Sequence, residues 1–246
     1  MQKNKQIFLY GDNIGSVSYI EHMGSDLTIV NSARVSFGTN KTELDNRDKK
    51  LINYLVKHRH TSTFEHNVVT FKFVVPLYVR SQHHRHRTWS YNEISRRYTN
   101  KNISFYEPKM FRTQHESNRQ ASNETNLINP SLRTGEYSHA LLPVSAWTSH
   151  DAIVDHNLKS MELFNRLLSA GVCREQARGV LPQNMYTEYY GTVNLNNLLK
   201  FVDLRTHEGA QWEIKKVAEA CLTIAEELWP KAVGSYRNIK YGESKI

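Results

Sequence analysis

The most regular alternation of apolar and polar positions in the chain lies near residue 70. Every second residue there is apolar, namely Val69, Phe71, Phe73 and Val75. A period of two residues predicts a half-buried β-strand. Pro76 ends this strand and is well placed to begin a helix through about residues 80–87, because proline fits the first helical position. Residues 26–37 begin with β-forming side chains and predict further β-structure.

Apolar residues three and four positions apart predict several helices elsewhere. The expected helical ranges are 42–58, 151–170, 174–181, 195–202 and 210–228. Thr42 is the expected N-cap of the first range, since its side chain can accept a hydrogen bond from the first helical turn. Gly171, Pro182 and Pro230 each follow an expected helix end.

Residues 112–147 depart from this regular patterning. The part from 116 to 126 is dense in Ser, Asn, Gln and Arg, and the remainder is interrupted by Pro130 and Gly135. Long connections without regular structure are uncommon in compact domains and often serve as lids or mobile loops. We therefore predict a long loop or insertion here, with a functional loop and a tolerated surface insertion as equal alternatives.

The composition narrows the class of protein. The chain has 246 residues, 39% of them hydrophobic, so it can bury a core, which excludes wholesale disorder. It contains no internal repeat and no Gly/Ser linker, so we expect one domain over 1–246. Its net charge of +8 favours an anionic partner: a nucleotide, a nucleic acid or an acidic membrane face.

Cysteine content and the length of the apolar runs indicate in which cellular compartment the protein is expected. Cys173 and Cys221 are too few for a disulfide framework or a cysteine zinc site. The first apolar run, 7–10, is too short for a signal peptide, and no run reaches membrane-spanning length. We expect a protein of the reducing cytoplasm. Cys221 falls on the apolar face of the 210–228 helix and is expected in the core, which disfavours it as a nucleophile.

The densest chemistry lies in residues 85–98, which read Arg-His-Arg-Thr-Trp-Ser-Tyr-Asn-Glu-Ile-Ser-Arg-Arg-Tyr. Guanidinium groups pair bidentately with phosphate or carboxylate, and the segment has four arginines and no lysine. The expected ligand is a phosphate-bearing small molecule. A solvated basic surface is one alternative, and a nucleic-acid stripe with stacking from Trp89, Tyr91 and Tyr98 is another. Glu93 would accept from a base or ribose, or hold the arginines in place.

Half of the twelve histidines lie within residues 58–86. A metal site is one interpretation, since His-x-His and Glu65-His66 could supply ligands. The sequence has no His-Glu-x-x-His pattern, however, and five arginines between 80 and 97 would repel a cation. We expect no metal, and interpret these histidines as groups that stack on a flat ring or donate to phosphate.

Two single arginines stand among apolar residues. They are Arg178, in Arg-Gly-Val-Leu-Pro, and Arg205, in Phe-Val-Asp-Leu-Arg. A partly buried guanidinium needs an anionic or acceptor partner. Asp203 and Glu208 could form structural ion pairs with them, and an anionic ligand is the alternative.

Taken together, these blocks resemble the signature of the flavin-dependent thymidylate synthases. The resemblance rests on the string 85–98, on 59–66 upstream, and on 178–182, 204–205 and 210–214 downstream. The blocks follow the family's order and cover most of the chain outside 112–147. The implied fold is α+β: a mostly antiparallel sheet flanked by long helices, assembled as a homotetramer with active sites built from several subunits.

The resemblance implies an FAD enzyme that converts dUMP to dTMP. 5,10-Methylenetetrahydrofolate would supply the carbon and NADPH would reduce the flavin. The implied FAD-binding residues are His60, Ser62, Arg85, His86, Arg87, Glu93 and Asn194. The implied dUMP-binding residues are Gln82, Glu93, Ser95, Arg97, Arg178 and Arg205.

Arg205 is the expected catalytic residue in this resemblance. It would face the uracil, where a cation beside N3 and O4 stabilises the anionic ring that makes C5 nucleophilic. Arg178 would reach the phosphate from another subunit. Ser95 is interpreted as a ligand contact, because no His or Lys base is paired with it in the motif.

The sequence departs from the family pattern at three flavin-side positions. Family members often carry Arg at the position of Asn196, Asn at that of Lys200 and His at that of Gly209. Asn194 matches. A related flavoenzyme acting on another pyrimidine nucleotide, such as dCMP, and a basic nucleic-acid-binding module remain the alternative functions.

Overall fold

The computed structural model describes residues 5–132 and 147–242. These residues form two compact units. The first is built from 1–74, 82–92 and 188–246, and the second from 75–81 and 93–187, in each case from the described residues within those ranges. The part of the predicted loop that falls on 133–146 lies outside the described residues.

The main sheet has five strands. They are β1 (Gln6–Phe8), β2 (Ser16–Met23), β3 (Val68–Pro76), β4 (Ser90–Glu93) and β7 (Tyr186–Asn194), in the order β1-β2-β3-β7-β4. β2 pairs antiparallel with both β1 and β3. The architecture is therefore α+β with an antiparallel sheet and several helices, as predicted. β3 confirms the alternation in the sequence, because its four odd-numbered apolar residues from 69 to 75 are fully buried.

The helices are α1 (Asp26–Arg34), α2 (Asn46–Lys57), α3 (Leu77–His83), α4 (Ser149–Ser169), α5 (Arg174–Ala177), α6 (Leu195–Arg205), α7 (Trp212–Leu228) and α8 (Pro230–Tyr241). Short 3-10 turns cover Val35–Phe37, Thr61–Phe64 and Arg178–Val180. The helical predictions near 151, 174, 195 and 210 are confirmed.

The β-structure predicted for residues 26–37 is wrong. This stretch forms α1, because Ser25 and Thr28 make a reciprocal capping box and Asp26 occupies the first turn. Asp26 also accepts backbone hydrogen bonds from Lys231 at 2.9 Å and Ala232 at 3.0 Å, which ties α1 to the start of α8. Local capping and tertiary contacts outweigh the β-propensity of Ile29 and Val30.

The start of α2 differs from the prediction, and one further helix was not predicted at all. Asp45, and not Thr42, caps α2: its carboxylate accepts from the backbone of Arg47 and Asp48, and Asp48 reaches back to the Asp45 N–H. Pro230 follows the end of α7 at Leu228, as predicted, and it also begins α8, a helix that the sequence analysis did not predict. Proline is favoured at the first helical position, so it both stops α7 and starts its successor.

The predicted loop contains regular structure in its described part. β5 (Phe111–Gln114) and β6 (Ser122–Ile128) form a separate two-stranded antiparallel sheet in the second unit. The hydrophobic core of that unit lies elsewhere, around Phe164, Ala177, Leu181 and Met185. The polar composition of 116–126 thus reflects a solvated hairpin, in which β6 is mostly exposed and β5 is mostly half-buried.

α7 carries the apolar core of the first unit. Its inward face buries Ile214, Val217, Cys221 and Ile224 completely, and the helix packs against β2. Cys221 is a core residue, as predicted. Burial raises the pKa of its thiol well above the ordinary value, so the thiolate needed for nucleophilic chemistry is disfavoured.

Candidate functional site

The arginine-rich segment leaves α3, turns, and enters β4. Its aromatic residues act as anchors. Trp89 is only 6% exposed and packs against Phe71, Phe73 and Phe201. The Tyr91 hydroxyl donates to the carbonyls of His83 at 2.9 Å and His86 at 3.1 Å, which closes the turn. A buried Trp89 is not available to stack on nucleic-acid bases, so the interpretation as a binding stripe loses one of its three aromatic side chains.

Arg205 connects two sequence blocks that lie far apart. The last turn of α6 places its side chain against the end of α3. Its Nε donates to His86 Nε2 at 3.0 Å, and its Nη2 donates to the Gln82 carbonyl at 3.0 Å. The expected partner Asp203 instead pairs with Lys240 at 2.6 Å. The interpretation of Arg205 and Asp203 as a structural ion pair is therefore wrong.

His86 is held in its neutral form. Burial and the neighbouring Arg205 cation lower the pKa of His86 to about 4. Because Nε2 accepts the hydrogen bond from Arg205, the single ring proton must sit on Nδ1. Phe201 supports the ring edge-on at 4.8 Å. A neutral acceptor leaves the charge of Arg205 uncompensated, so the guanidinium remains able to stabilise an anion.

Gln82 is fixed from a second side. Its amide nitrogen donates to Gln211 Oε1, and the Gln211 amide donates in turn to Glu213 Oε2 at 2.9 Å. Glu213 is buried at the start of α7. Gln82, His86 and Arg205 thus form one connected polar cluster inside the first unit, supported by α7.

Glu93 lies in the second unit and holds a different arginine. Its Oε1 accepts from Arg80 Nε at 3.0 Å and from the Thr187 hydroxyl at 2.7 Å. The carboxylate is half-buried. It therefore fixes Arg80, and its second oxygen Oε2 can still accept from a ligand.

Three further residues that are expected to bind dUMP also lie in the second unit, namely Ser95, Arg97 and Arg178. Ser95 accepts from the Arg97 backbone N–H at 3.3 Å, and its carbonyl accepts from Tyr98. The exposed Arg97 guanidinium lies 5.4 Å from the Tyr98 ring centroid. Arg178 is exposed on its 3-10 turn. Two exposed guanidinium groups in this unit are chemically suited to a phosphate.

Apart from Glu93, the residues expected to bind FAD lie in the first unit. His60 stacks on Tyr54 at 5.7 Å, and Ser62 is exposed on the neighbouring 3-10 turn. Asn194 caps α6, since its Oδ1 accepts from the Asn197 N–H at 2.9 Å. The side-chain amide nitrogen of Asn194 would have a second role only if a ligand accepted a hydrogen bond from it.

Arg85 and Arg87 test whether a diphosphate cofactor fits this unit. Both side chains are exposed. Within the described parts of the chain, neither guanidinium forms an ion pair or side-chain hydrogen bond. Exposed arginines without acidic partners have their planar donors available for phosphate oxygens. The donor set therefore fits FAD, with Arg85, Arg87, Ser62 and His60 as the groups that would hold it.

One histidine of the 58–86 stretch, His83, serves packing and hydrogen bonding. His83 is fully buried, and its Nδ1 lies 2.8 Å from the Tyr189 hydroxyl. Burial, followed by the nearby His86, lowers its pKa well below the ordinary value. Over residues 5–132 and 147–242, no group of three or more His, Cys, Asp or Glu side chains is arranged to hold a metal ion. Nor is any helix in those ranges long and apolar enough to cross a membrane.

Comparisons with known proteins identify the family. The family model described as thymidylate synthase complementing protein matches residues 18–231. A flavin-dependent thymidylate synthase of Thermus thermophilus is 41% identical over 222 residues, covering 90% of this chain and 75% of its own. The chain belongs to the flavin-dependent thymidylate synthase family. A second member, from Thermotoga neapolitana, is 37% identical and covers 92% of both chains.

Solved structures extend this family assignment. The UMP/dUMP methylase PolB from Streptomyces cacaoi, bound with 5-Br dUMP, is 30% identical with a TM-score of 0.72 and covers 94% of this chain and 97% of its own. The same methylase bound with 5-Br UMP gives a TM-score of 0.70 and covers 89% of this chain and 92% of its own. The fold of this methylase therefore extends over nearly the whole chain.

Several residues of the site were not singled out from the sequence. Arg80 and Thr187 hold Glu93, and Gln211 holds Gln82. Gln211 stands in the 210–214 block, which was matched as a block without a role for this side chain. Thr187 stands in a strand that the sequence analysis did not predict, so no local signal marked it.

Proposed function

We propose that this protein is a flavin-dependent thymidylate synthase that methylates dUMP to dTMP. 5,10-Methylenetetrahydrofolate is the carbon donor and NADPH the reductant. The observation that carries the proposal is the hydrogen-bonded cluster of Arg205, His86 and Gln82. The cluster brings the 85–87 motif into contact with Arg205, which lies 119 positions after His86 in the sequence. Residues that bind one substrate must lie close together in this way.

The chemistry proposed for Arg205 follows from its fixed position. Uracil C5 is a weak nucleophile, and it gains electron density when N3 loses its proton and the ring becomes anionic. A guanidinium beside N3 and O4 stabilises that anion, and prior fixation by His86 and Gln82 removes the cost of reorienting it. Neutral His86 orients Arg205 without cancelling its charge.

The phosphate end of dUMP is assigned to arginines of the second unit. Arg97 and Arg178 would pair with the phosphate and Ser95 would donate to it, with Arg178 supplied by another subunit of a homotetramer. Glu93 would accept from the nucleotide or flavin through the oxygen that Arg80 and Thr187 do not use. This arrangement uses the cations that the structure leaves exposed.

The cofactor proposed for the enzyme is FAD. Arg85 and Arg87 would hold its phosphates, with His60, Ser62, His86 and Asn194 as further contacts. Bound FAD supplies the redox capacity for methylene and hydride transfer. The exposed, unpaired state of Arg85 and Arg87 among the described residues supports this role.

A second substrate merits a direct test because of one specific likeness. The structural match includes a methylase whose name gives both UMP and dUMP as substrates. Pyrimidine ribonucleotide methylation is therefore the second candidate function. It would use the same uracil contacts and differ at the 2′ position of the sugar.

Competition among nucleotides tests the proposal. Purified protein is incubated with FAD, NADPH, methylenetetrahydrofolate and equal concentrations of dUMP, UMP and dCMP, and the products are identified by mass. We expect dTMP as the main product. A predominance of methylated UMP would replace the first function by the second, and methylated dCMP alone would contradict both.

A further inference from the structure

Gln82, Gln211 and Glu213 form a chain of hydrogen bonds that ends at a buried carboxylate. Glu213 is only 3% exposed and lies in the first turn of α7. Its Oε2 accepts from the Gln211 amide nitrogen at 2.9 Å, and Gln211 Oε1 accepts from the Gln82 amide nitrogen. All three residues belong to the first unit, so this chain lies within one compact body.

The carboxylate of Glu213 determines which way both amides point. A side-chain amide can turn either its oxygen or its nitrogen toward a neighbour, whereas a carboxylate only accepts hydrogen bonds. Gln211 must therefore direct its nitrogen to Glu213 and its oxygen to Gln82. Gln82 must in turn donate to Gln211 through its nitrogen. Reversing either amide would bring two acceptors or two donors together and leave polar groups unsatisfied.

The side-chain oxygen of Gln82 is thereby left for a ligand. Gln82 is half-buried, and among the described residues its Oε1 accepts no hydrogen bond. The backbone carbonyl of the same residue accepts from Arg205 at 3.0 Å, so backbone and side chain are both held. Gln82 therefore presents an acceptor of fixed orientation, and the group of the nucleotide that meets it must be a donor.

The nucleotide dUMP has two kinds of donor, the uracil N3–H and the 3′-hydroxyl, because an ionised phosphate and the uracil carbonyls only accept. The proposed chemistry removes the proton from N3, and an acceptor fixed at that position would favour the neutral ring. The 3′-hydroxyl keeps its proton throughout the reaction. The fixed oxygen of Gln82 is therefore suited to the sugar, which leaves the uracil to Arg205.

We propose that Gln211 and Glu213 are positioning residues that fix the side-chain amide of Gln82, so that its oxygen accepts a hydrogen bond from the 3′-hydroxyl of the nucleotide. The inference rests on the proposed function, because it concerns recognition of the substrate at that same site. It gives a role to two residues that do not touch the nucleotide. It also assigns Gln82 to the sugar and not to the phosphate.

Nucleotide titrations of the full-length protein with FAD bound test the proposal. The two ligands are dUMP and 2′,3′-dideoxyuridine monophosphate, which lacks only the 3′-hydroxyl. We expect wild type to bind dUMP about fivefold to tenfold more tightly, the contribution of one hydrogen bond. Glu213→Gln keeps the side-chain shape but allows either amide orientation, and Gln211→Met removes both links. In each variant the preference for dUMP should fall below about twofold.

A matched control and kinetics separate positioning from folding. Glu227→Gln makes the same substitution on the exposed face of α7, where Glu227 pairs with Lys5 at the surface, and should keep the wild-type preference. Each preference compares two ligands on one sample, so a misfolded fraction does not change it. In Glu213→Gln the KM for dUMP should rise while kcat changes less than about twofold. Loss of folded enzyme alone would lower kcat and leave KM unchanged.

A wild-type preference for dUMP retained in Glu213→Gln or Gln211→Met would overturn the proposal. Equal affinity of wild type for the two nucleotides would overturn it as well, since the Gln82 oxygen would then meet no sugar hydroxyl. A wild-type protein that binds neither nucleotide would contradict the proposed function itself.

Discussion

At the scale of single residues, the site depends on how Arg205 is held. Its guanidinium has two acceptors, an imidazole and a backbone carbonyl, and neither is an anion. The sequence marked Arg205, His86 and Gln82 separately through a resemblance to known enzymes. It could not show that these residues touch, because their contact depends on the packing of α6 against the end of α3.

Arg205→Ala should strongly reduce turnover and leave the fold intact. Loss of a fixed donor to a developing anion costs about 10²–10³-fold in kcat. Steady-state kinetics and circular dichroism measure the two effects. Arg166→Ala, at an exposed position on α4, is the matched control and should keep full activity. Near-wild-type turnover in Arg205→Ala would remove the role assigned to this residue.

His86 variants test whether the imidazole positions Arg205. His86→Gln keeps an acceptor for the Arg205 N–H, whereas His86→Ala removes it. We expect the alanine variant to lose about tenfold more in kcat than the glutamine variant, with weakened FAD binding in both. Equal kcat values in the two variants would show that the hydrogen bond to Arg205 is unimportant.

The lowered pKa of His86 also makes stability depend on pH. The folded pKa is about 4 and the ordinary value is 6.5, so the unfolded chain binds more protons between these values. Stability is then fully present above about pH 6.5 and falls as the pH drops toward 4. As the pH is lowered from 7 to 4, the melting temperature should fall less steeply for His86→Gln than for wild type. Part of the pH dependence should remain in the variant, because the pKa of buried His83 is also lowered. A pH dependence of the melting temperature identical to that of wild type would contradict the lowered pKa of His86.

At the scale of helices and strands, periodic segments were predictable and caps were not. α4, α6 and α7 have long apolar stripes that define them without further information. The start of α2 and the start of α8 depend on which polar residue or proline completes the first turn. β1 and β4 are three and four residues long, too short for a period to appear. They exist because neighbouring strands supply their hydrogen bonds.

The two candidate caps of α2 give a direct comparison. Asp45→Ala should destabilise the protein measurably, because the first-turn N–H groups lose their acceptor. Thr42→Ala should change stability by less than about 0.5 kcal/mol, since Thr42 is exposed and precedes the cap. Urea unfolding measures both. A larger effect at Thr42 than at Asp45 would restore the cap expected from the sequence.

At the scale of the whole molecule, the proposed active site is expected to combine residues from more than one subunit. The single chain of 28.6 kDa carries the cluster of Arg205, His86 and Gln82 in the first unit and the exposed Arg97 and Arg178 in the second. Subunit assembly could not be derived from apolar periodicity, because an interface face and a core face follow the same pattern. The homotetramer is therefore a prediction, and light scattering of the purified protein tests it directly.

Mixed oligomers test the sharing of sites between subunits. Arg178→Ala and Arg205→Ala are each expected to be inactive alone. If a site takes Arg178 from one chain and Arg205 from another, co-expression at equal levels should restore roughly a quarter of wild-type activity by random assortment. Complete absence of rescue in verified mixed oligomers would place both arginines in the same chain's site.

The most direct test of the central claim is tritium release from dUMP labelled at C5. The reaction contains FAD, NADPH and methylenetetrahydrofolate, and a parallel reaction omits the folate. Replacement of the C5 hydrogen is inherent in methylation at that carbon, so we predict folate-dependent tritium release with an equal amount of dTMP formed. A protein that binds FAD and is reduced by NADPH, yet releases no tritium from dUMP, would contradict its assignment as a thymidylate synthase.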